Sequence, residues 1–261
     1  MANVSSLWIG DPLTRAHKVA LKSFVYYGHS IKLYVYDMDL EVPPGVVKAD
    51  ARSIVPESDI FLHYGKLAAF SDYFRNVMIS KTGEMWVDAD TICLSEYFFE
   101  DKEYVFIEEM PNFYAQGIVK MPSDSNLCKL LNKKASRLMA NKNESGSFNA
   151  DTWTSSDSKS WIFLGPGLFT ETIIELSLGE YGQPALLVNG LDLSVSAEDP
   201  QKLFWDPESR DLMLERLQNS ISATFFNSSL DLRGLTDIKN DLPEGSAIRE
   251  LEKRFFGQSP S

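Results

Sequence analysis

A chain of 261 residues, 44% hydrophobic and 12% aromatic, has the material for one packed α/β domain and is too apolar for general disorder. Its formal charge of −12 argues against non-specific nucleic-acid binding, which needs clustered Lys and Arg against phosphates, but still allows a phosphorylated small molecule carried on a metal ion. Two cysteines, Cys93 and Cys128, are too few for a disulfide framework and read as thiols of a reducing compartment. The first residues offer neither a basic nor an apolar leader. The expectation is a cytoplasmic protein, or one at the inner face of a membrane, with no transmembrane segment.

In chain order, residues 6–10 read as a first strand and Asp11-Pro12 as the start of a helix reaching about Gly28. Residues 31–36 form a second strand, with a shorter one around Val46 and Val47. Residues 66–81 carry apolar Leu67, Phe70, Phe74, Val77 and Met78 at helical spacing, and Gly83 closes that helix. Met85-Trp86-Val87 is a short strand, residues 104–107 another, and residues 114–121 are extended. Ser123 is placed to cap a helix through Leu138. The polar stretch 141–160 reads as a loop or mobile flap. A helix after Gly165-Pro166-Gly167 ends near Gly179. Then come a helix at 209–219, a strand at 223–226 and a last helix at 246–255. Alternating strands and helices predict a Rossmann-like, mainly parallel sheet flanked by helices, with a small C-terminal helix and strand extension. One domain over 1–257 and a tail at 258–261 are expected.

Asp88 and Asp90 follow the apolar strand 85–87. Alternation along a strand would send both carboxylates to one side, at the strand end where open α/β sheets bind ligands. Such oxygens suit Mn²⁺ or Mg²⁺ bridged to phosphates. The spelling D-x-D is weak evidence, because Asp37-Met38-Asp39 also follows a strand, and a solvated turn explains either pair. A haloacid-dehalogenase-type phosphatase would need a threonine where Ile92 stands, one residue after Thr91. A dinucleotide oxidoreductase would need a G-x-G-x-x-G, and none follows a strand.

The surroundings of the second pair are more specific. Ser71-Asp72 and Arg75, then Gly83, then Trp86-Val87-Asp88-Ala89-Asp90 resemble the S-D-x-x-R … G-x-x-x-x-D-x-D block of the DxD sugar-binding glycosyltransferases. That family includes α-1,4-glycosyltransferases, initiating mannosyltransferases and, more distantly, clostridial glucosylating toxins. The resemblance extends to Leu7-Trp8-Ile9-Gly10, Ser23-Phe24, Gly28-His29, Gly165-Pro166 with Thr170, and Phe226-Asn227, and is nearest to bacterial members that extend surface polysaccharides.

It implies a GT-A-like fold and a retaining, metal-dependent transfer of a hexose from a nucleotide sugar (UDP-Gal, UDP-Glc or UDP-GlcNAc) to a saccharide acceptor, giving an α-linked product. Asp90, with Asp88, would hold Mn²⁺ or Mg²⁺. Trp8 would stack on the base, with Gly10 admitting the nucleotide. Ser71, Asp72 and Arg75 would meet the donor's sugar and ribose hydroxyls, and Gly165-Pro166 would lie on the acceptor side. Thr224 occupies the place of a family histidine that completes the metal shell, so Asn227, Ser246 or water are the remaining candidates. A non-catalytic nucleotide-sugar binder of the same fold is the alternative.

Overall fold

The computed structural model describes residues 1–63, 65–140, 163–189, 200–227, 230 and 235–257. The expected flap at 141–160 and the tail at 258–261 lie outside the described residues. The elements are β1 (Asn3–Trp8), α1 (Arg15–Tyr26), β2 (Ser30–Val35), β3 (Val47–Asp50), α2 (Ala68–Thr82), β4 (Met85–Val87), β5 (Thr91–Cys93), β6 (Val105–Met110) and β7 (Phe113–Lys120). They continue with α3 (Asn126–Ala140), α4 (Leu168–Glu175), β8 (Gly182–Pro184), α5 (Ala185–Asn189), α6 (Pro200–Trp205), α7 (Arg210–Leu217), β9 (Ser222–Thr224) and α8 (Ala247–Gly257). Seven strands form a mixed sheet in the order β3-β2-β1-β4-β7-β6-β8, and β5 pairs separately with β9. This is the α/β architecture, a sheet with helices, that the alternating pattern predicts.

The chain divides into two compact units, the first comprising Met1–Ala49, Val87–Asp101 and Pro184–Ser261. Its β1 and β2 run parallel, in register from Asn3↔Ser30 to Trp8↔Val35. Helix α1 starts at Arg15, later than Asp11-Pro12 suggested, because Thr14 is extended and its side chain accepts the His17 N–H. The buried side of α1 (Ala16, Val19, Ala20) joins Ile92, Phe204, Met213, Ala223, Phe225, Ile248, Leu251 and Phe255 in one apolar cluster. Each large side chain removed from water there contributes about 1.5–3 kcal/mol. The C-terminal segment is thus part of this unit's core. Cys93 and Cys128 are free thiols, and burial pushes Cys93 up to about 12.

The second unit comprises Asp50–Trp86 and Lys102–Gln183. Helix α2 ends as expected, with Gly83 left-handed (φ 68°) and its N–H on the Ile79 carbonyl. Strands β6 and β7 are antiparallel with irregular register, and Phe106 of β6 meets Tyr114 and Phe169 edge-on. Helix α3 begins at Asn126 on Ser125, whose hydroxyl accepts the Cys128 N–H, rather than on Ser123. Helix α4 stops at Glu175, short of Gly179, where Ser177 turns left-handed (φ 54°). In the first unit, strand β9 likewise stops at Thr224, because Phe226 is left-handed (φ 52°) and leaves the ladder.

Candidate functional site

The residues Asp88-Ala89-Asp90 occupy a turn between β4 and β5, closed by the Thr91 N–H on the Asp88 carbonyl at 3.0 Å. Strand alternation was the expected reason for the two carboxylates to meet, but they are brought together by this turn. All three residues are partly exposed. The Asp90 carboxyl is pushed up from 3.8 to about 6, first by burial and then by the negative charge of Asp88. Opposing that rise, the Asn227 N–H donates to Asp90 Oδ2 at 2.8 Å and the Thr224 hydroxyl also bonds the carboxyl.

The pairing of β5 with β9 produces this arrangement. Thr91 faces Thr224 in the antiparallel register, and one step on the Phe225 N–H reaches the Asp90 carbonyl at 3.3 Å. Phe226 then adopts its left-handed conformation, which an L side chain tolerates only at a penalty of about 1–2 kcal/mol. That turn delivers the Asn227 N–H to Asp90, and strain of this kind concentrates where a backbone group must be aimed. The side-chain oxygen of Asn227 accepts from Lys239 Nζ at 2.7 Å. Lys239 is 96% buried, and through Asn227 it braces the residue whose N–H meets Asp90. Nothing in the polar run around Lys239 marks it in the sequence.

Trp8 ends β1, partly exposed, with its indole N–H donating to the Asp11 carbonyl at 2.7 Å. Its ring lies 4.4 Å from that of buried His17. Gly10 has φ 106°, and a Cβ added there would meet nothing within 4 Å, so its backbone borders open space. Ser246, the other candidate ligand, is fully buried; its hydroxyl donates to the Pro243 carbonyl and accepts the Arg249 N–H, capping α8.

In the second unit, Asp72 and Arg75 are neighbours on α2. Both are buried, with Arg75 Nη1 donating to Asp72 Oδ1 at 3.0 Å. The Arg75 guanidinium also lies 4.9 Å from the centre of the Trp86 ring. Spacing alone allowed a surface ion pair, whereas here the pair is internal. Gly165 approaches so closely that a Cβ would stand 2.4 Å from Asp72 Oδ2, which explains glycine at that point. Ser71, partly exposed, precedes them in the first turns of α2. Gln116 of β7, which the sequence reading passed over, is buried with both amide atoms unpartnered among the described residues.

Asp37-Met38-Asp39 is exposed, and Asp37 Oδ1 accepts the Asp39 N–H at 2.9 Å. Among the described residues no three His, Cys, Asp or Glu side chains cluster as a metal site. Around Asp90 the donors are therefore two carboxylates and a hydroxyl, a hard oxygen set that fits Mg²⁺ or Mn²⁺ only if phosphate or water completes the shell. No helix among the described residues is long and apolar enough to cross a membrane.

Fold and site together define an α/β protein with a hydrogen-bonded acid pair in the turn between β4 and β5. No family model and no curated protein matches the chain. A solved structure titled "PaToxG Glycosyltransferase" is similar to it at 13% identity and a TM-score of 0.47, over 98% of this chain and 84% of that one.

Proposed function

We propose that the chain is a metal-dependent glycosyltransferase that takes a hexose from a nucleotide sugar, a UDP-sugar by resemblance, to a saccharide acceptor with retention. The observation that supports this best is the Asp90 carboxylate: its pKa lifted by burial and then by Asp88, and its position set by Asn227 and Thr224 through a left-handed Phe226. A purely structural aspartate would gain nothing from a neighbouring acid that raises its pKa, whereas a cation relieves that repulsion. Asp90 and Asp88 would hold Mn²⁺ or Mg²⁺, which supplies charge stabilisation to a departing diphosphate.

The chain's own groups have separate tasks. The Asn227 N–H and Thr224 hydroxyl fix the rotamer of Asp90, and buried Lys239 anchors Asn227 and adds positive charge nearby. Trp8 offers a ring for the base, and Gly10 leaves its backbone open to a nucleotide. For Ser71, Asp72 and Arg75 the assignment to donor hydroxyls rests on the sequence resemblance. The buried ion pair is compatible with it, because a fixed carboxylate presents a directed acceptor. No covalent residue is nominated; in such enzymes the leaving phosphate helps to deprotonate the acceptor.

Release of UDP from UDP-Gal, UDP-Glc and UDP-GlcNAc, with Mn²⁺ against Mg²⁺, tests the reading. Turnover with at least one donor is expected, and Asp90→Ala should abolish metal-dependent UDP binding. An Asp90→Ala variant that binds and turns over like the parent refutes the assignment. Tight UDP binding without release under either metal would instead identify a nucleotide-sugar binder.

A further inference from the structure

We infer that His17 is a positioning residue, setting the plane of the Trp8 ring. This rests on the reading of Trp8 as the base platform. His17 has none of the spacing of a metal ligand, and its setting is aromatic. Its ring lies 4.4 Å from Trp8 at 59° and 5.2 Å from Phe225 at 68°. Phe225 in turn meets Trp205 edge-on at 5.9 Å. The four rings run continuously from a partly exposed Trp8, through His17 and Phe225, to a buried Trp205.

Two polar contacts fix this row. The Thr14 hydroxyl is 2.6 Å from His17 Nδ1, which holds the imidazole rotamer at the first turn of α1. The Trp8 indole N–H is held by the Asp11 carbonyl, and the tilted imidazole packed against the ring limits its remaining rotation. At the other end, the Phe225 N–H meets the Asp90 carbonyl, and the next two residues aim the Asn227 N–H at the Asp90 carboxylate. His17 is thus wedged between the group that would take a base and the segment that orients the acid pair. A leucine or alanine would fill this core position without an edge or face matched to an indole. An aromatic ring supplies both.

The test separates base from diphosphate. Titrations of UDP and of inorganic pyrophosphate, each with Mn²⁺, are compared for the parent, His17→Gln and His17→Phe. Aromatic pair energies correspond to a loss of about two- to tenfold in UDP affinity for His17→Gln, with pyrophosphate affinity held within twofold. His17→Phe should restore UDP binding, and the donor KM should rise in His17→Gln while kcat stays constant. Unchanged UDP affinity in His17→Gln, or equal losses for UDP and pyrophosphate, overturns the positioning role. In the parent, ¹⁵N-histidine NMR should show the His17 ring shifting on addition of UDP but not of pyrophosphate. No shift overturns the inference even if the variants do not fold. A parent protein that binds neither ligand refutes the glycosyltransferase reading itself.

Discussion

Asp90→Asn should make the metal-free protein more stable at neutral pH, and less responsive to Mn²⁺, than the parent. The carboxyl releases its proton near 3.8 when unfolded and near 6 when folded. Between those values the native state holds more protons than the unfolded chain, so stability falls as pH rises through that window. At about 1.4 kcal/mol per pH unit, this difference sets a ceiling of about 3 kcal/mol. Partial exposure lets water screen the charge, so about 1–2 kcal/mol is the realistic penalty at pH 7. Asparagine keeps an oxygen to accept the Asn227 N–H and sheds the repulsion with Asp88.

Thermal melts in chelator at pH 4 and pH 7.5 measure this directly. For a chain of this size about 1 kcal/mol moves Tm by about 2–4 °C, so the variant should melt several degrees higher at pH 7.5, with the gap closing near pH 4. Saturating Mn²⁺ with UDP should reverse the order, since a ligand at a hundredfold its Kd stabilises the parent by about 2.7 kcal/mol. A variant no more stable than the parent at pH 7.5, or one raised equally by Mn²⁺ and UDP, would refute the reasoning.

Arg75→Leu strands a buried Asp72 carboxylate and should destabilise by about 3–5 kcal/mol, read as a lower urea midpoint; a change under about 1 kcal/mol would mean the pair is solvated. Gly165→Ala places a Cβ against Asp72 and should lose about 1–3 kcal/mol, with a double-mutant cycle to Asp72→Ala showing coupling between the sites. Gly10→Ala meets no atom within 4 Å, so only its backbone conformation is penalised, by about 1–3 kcal/mol, read from the urea midpoint.

Periodicity made most of the fold legible. The apolar stripe of α2 with Gly83 as its stop, the run of β1 and the alternation of strand and helix are local signals, and they gave the elements to within a few residues. The errors arose where one residue's conformation overrode its neighbours. Thr14 rather than Asp11 opens α1, Ser125 rather than Ser123 opens α3, and left-handed Ser177 and Phe226 end α4 and β9 early. Three-residue β5 is too short for any pattern and is defined by pairing with a strand more than 120 positions away. For the same reason Lys239 and His17 could not be found in advance. Their roles depend on partners brought close by the fold, and neither carries a spacing that records those partners.

The two D-x-D sequences make the sharpest comparison, because their spelling is the same and their surroundings are not. Asp37 spends its carboxylate on the Asp39 N–H, the ordinary use of an aspartate in a turn, and both side chains are exposed. Lys48 donates to the Leu40 carbonyl at 2.9 Å and braces the loop through backbone. Asp90 is instead partly buried, repelled by Asp88 and oriented by donors from a distant segment. Asp37→Asn and Asp39→Asn should therefore shift stability by no more than about 0.5 kcal/mol and leave Mn²⁺-dependent UDP binding at the parental Kd. Calorimetric titration of both variants beside Asp90→Asn decides the matter. Loss of binding in Asp37→Asn with retention in Asp90→Asn would show that a motif's surroundings had misled where its spelling could not choose.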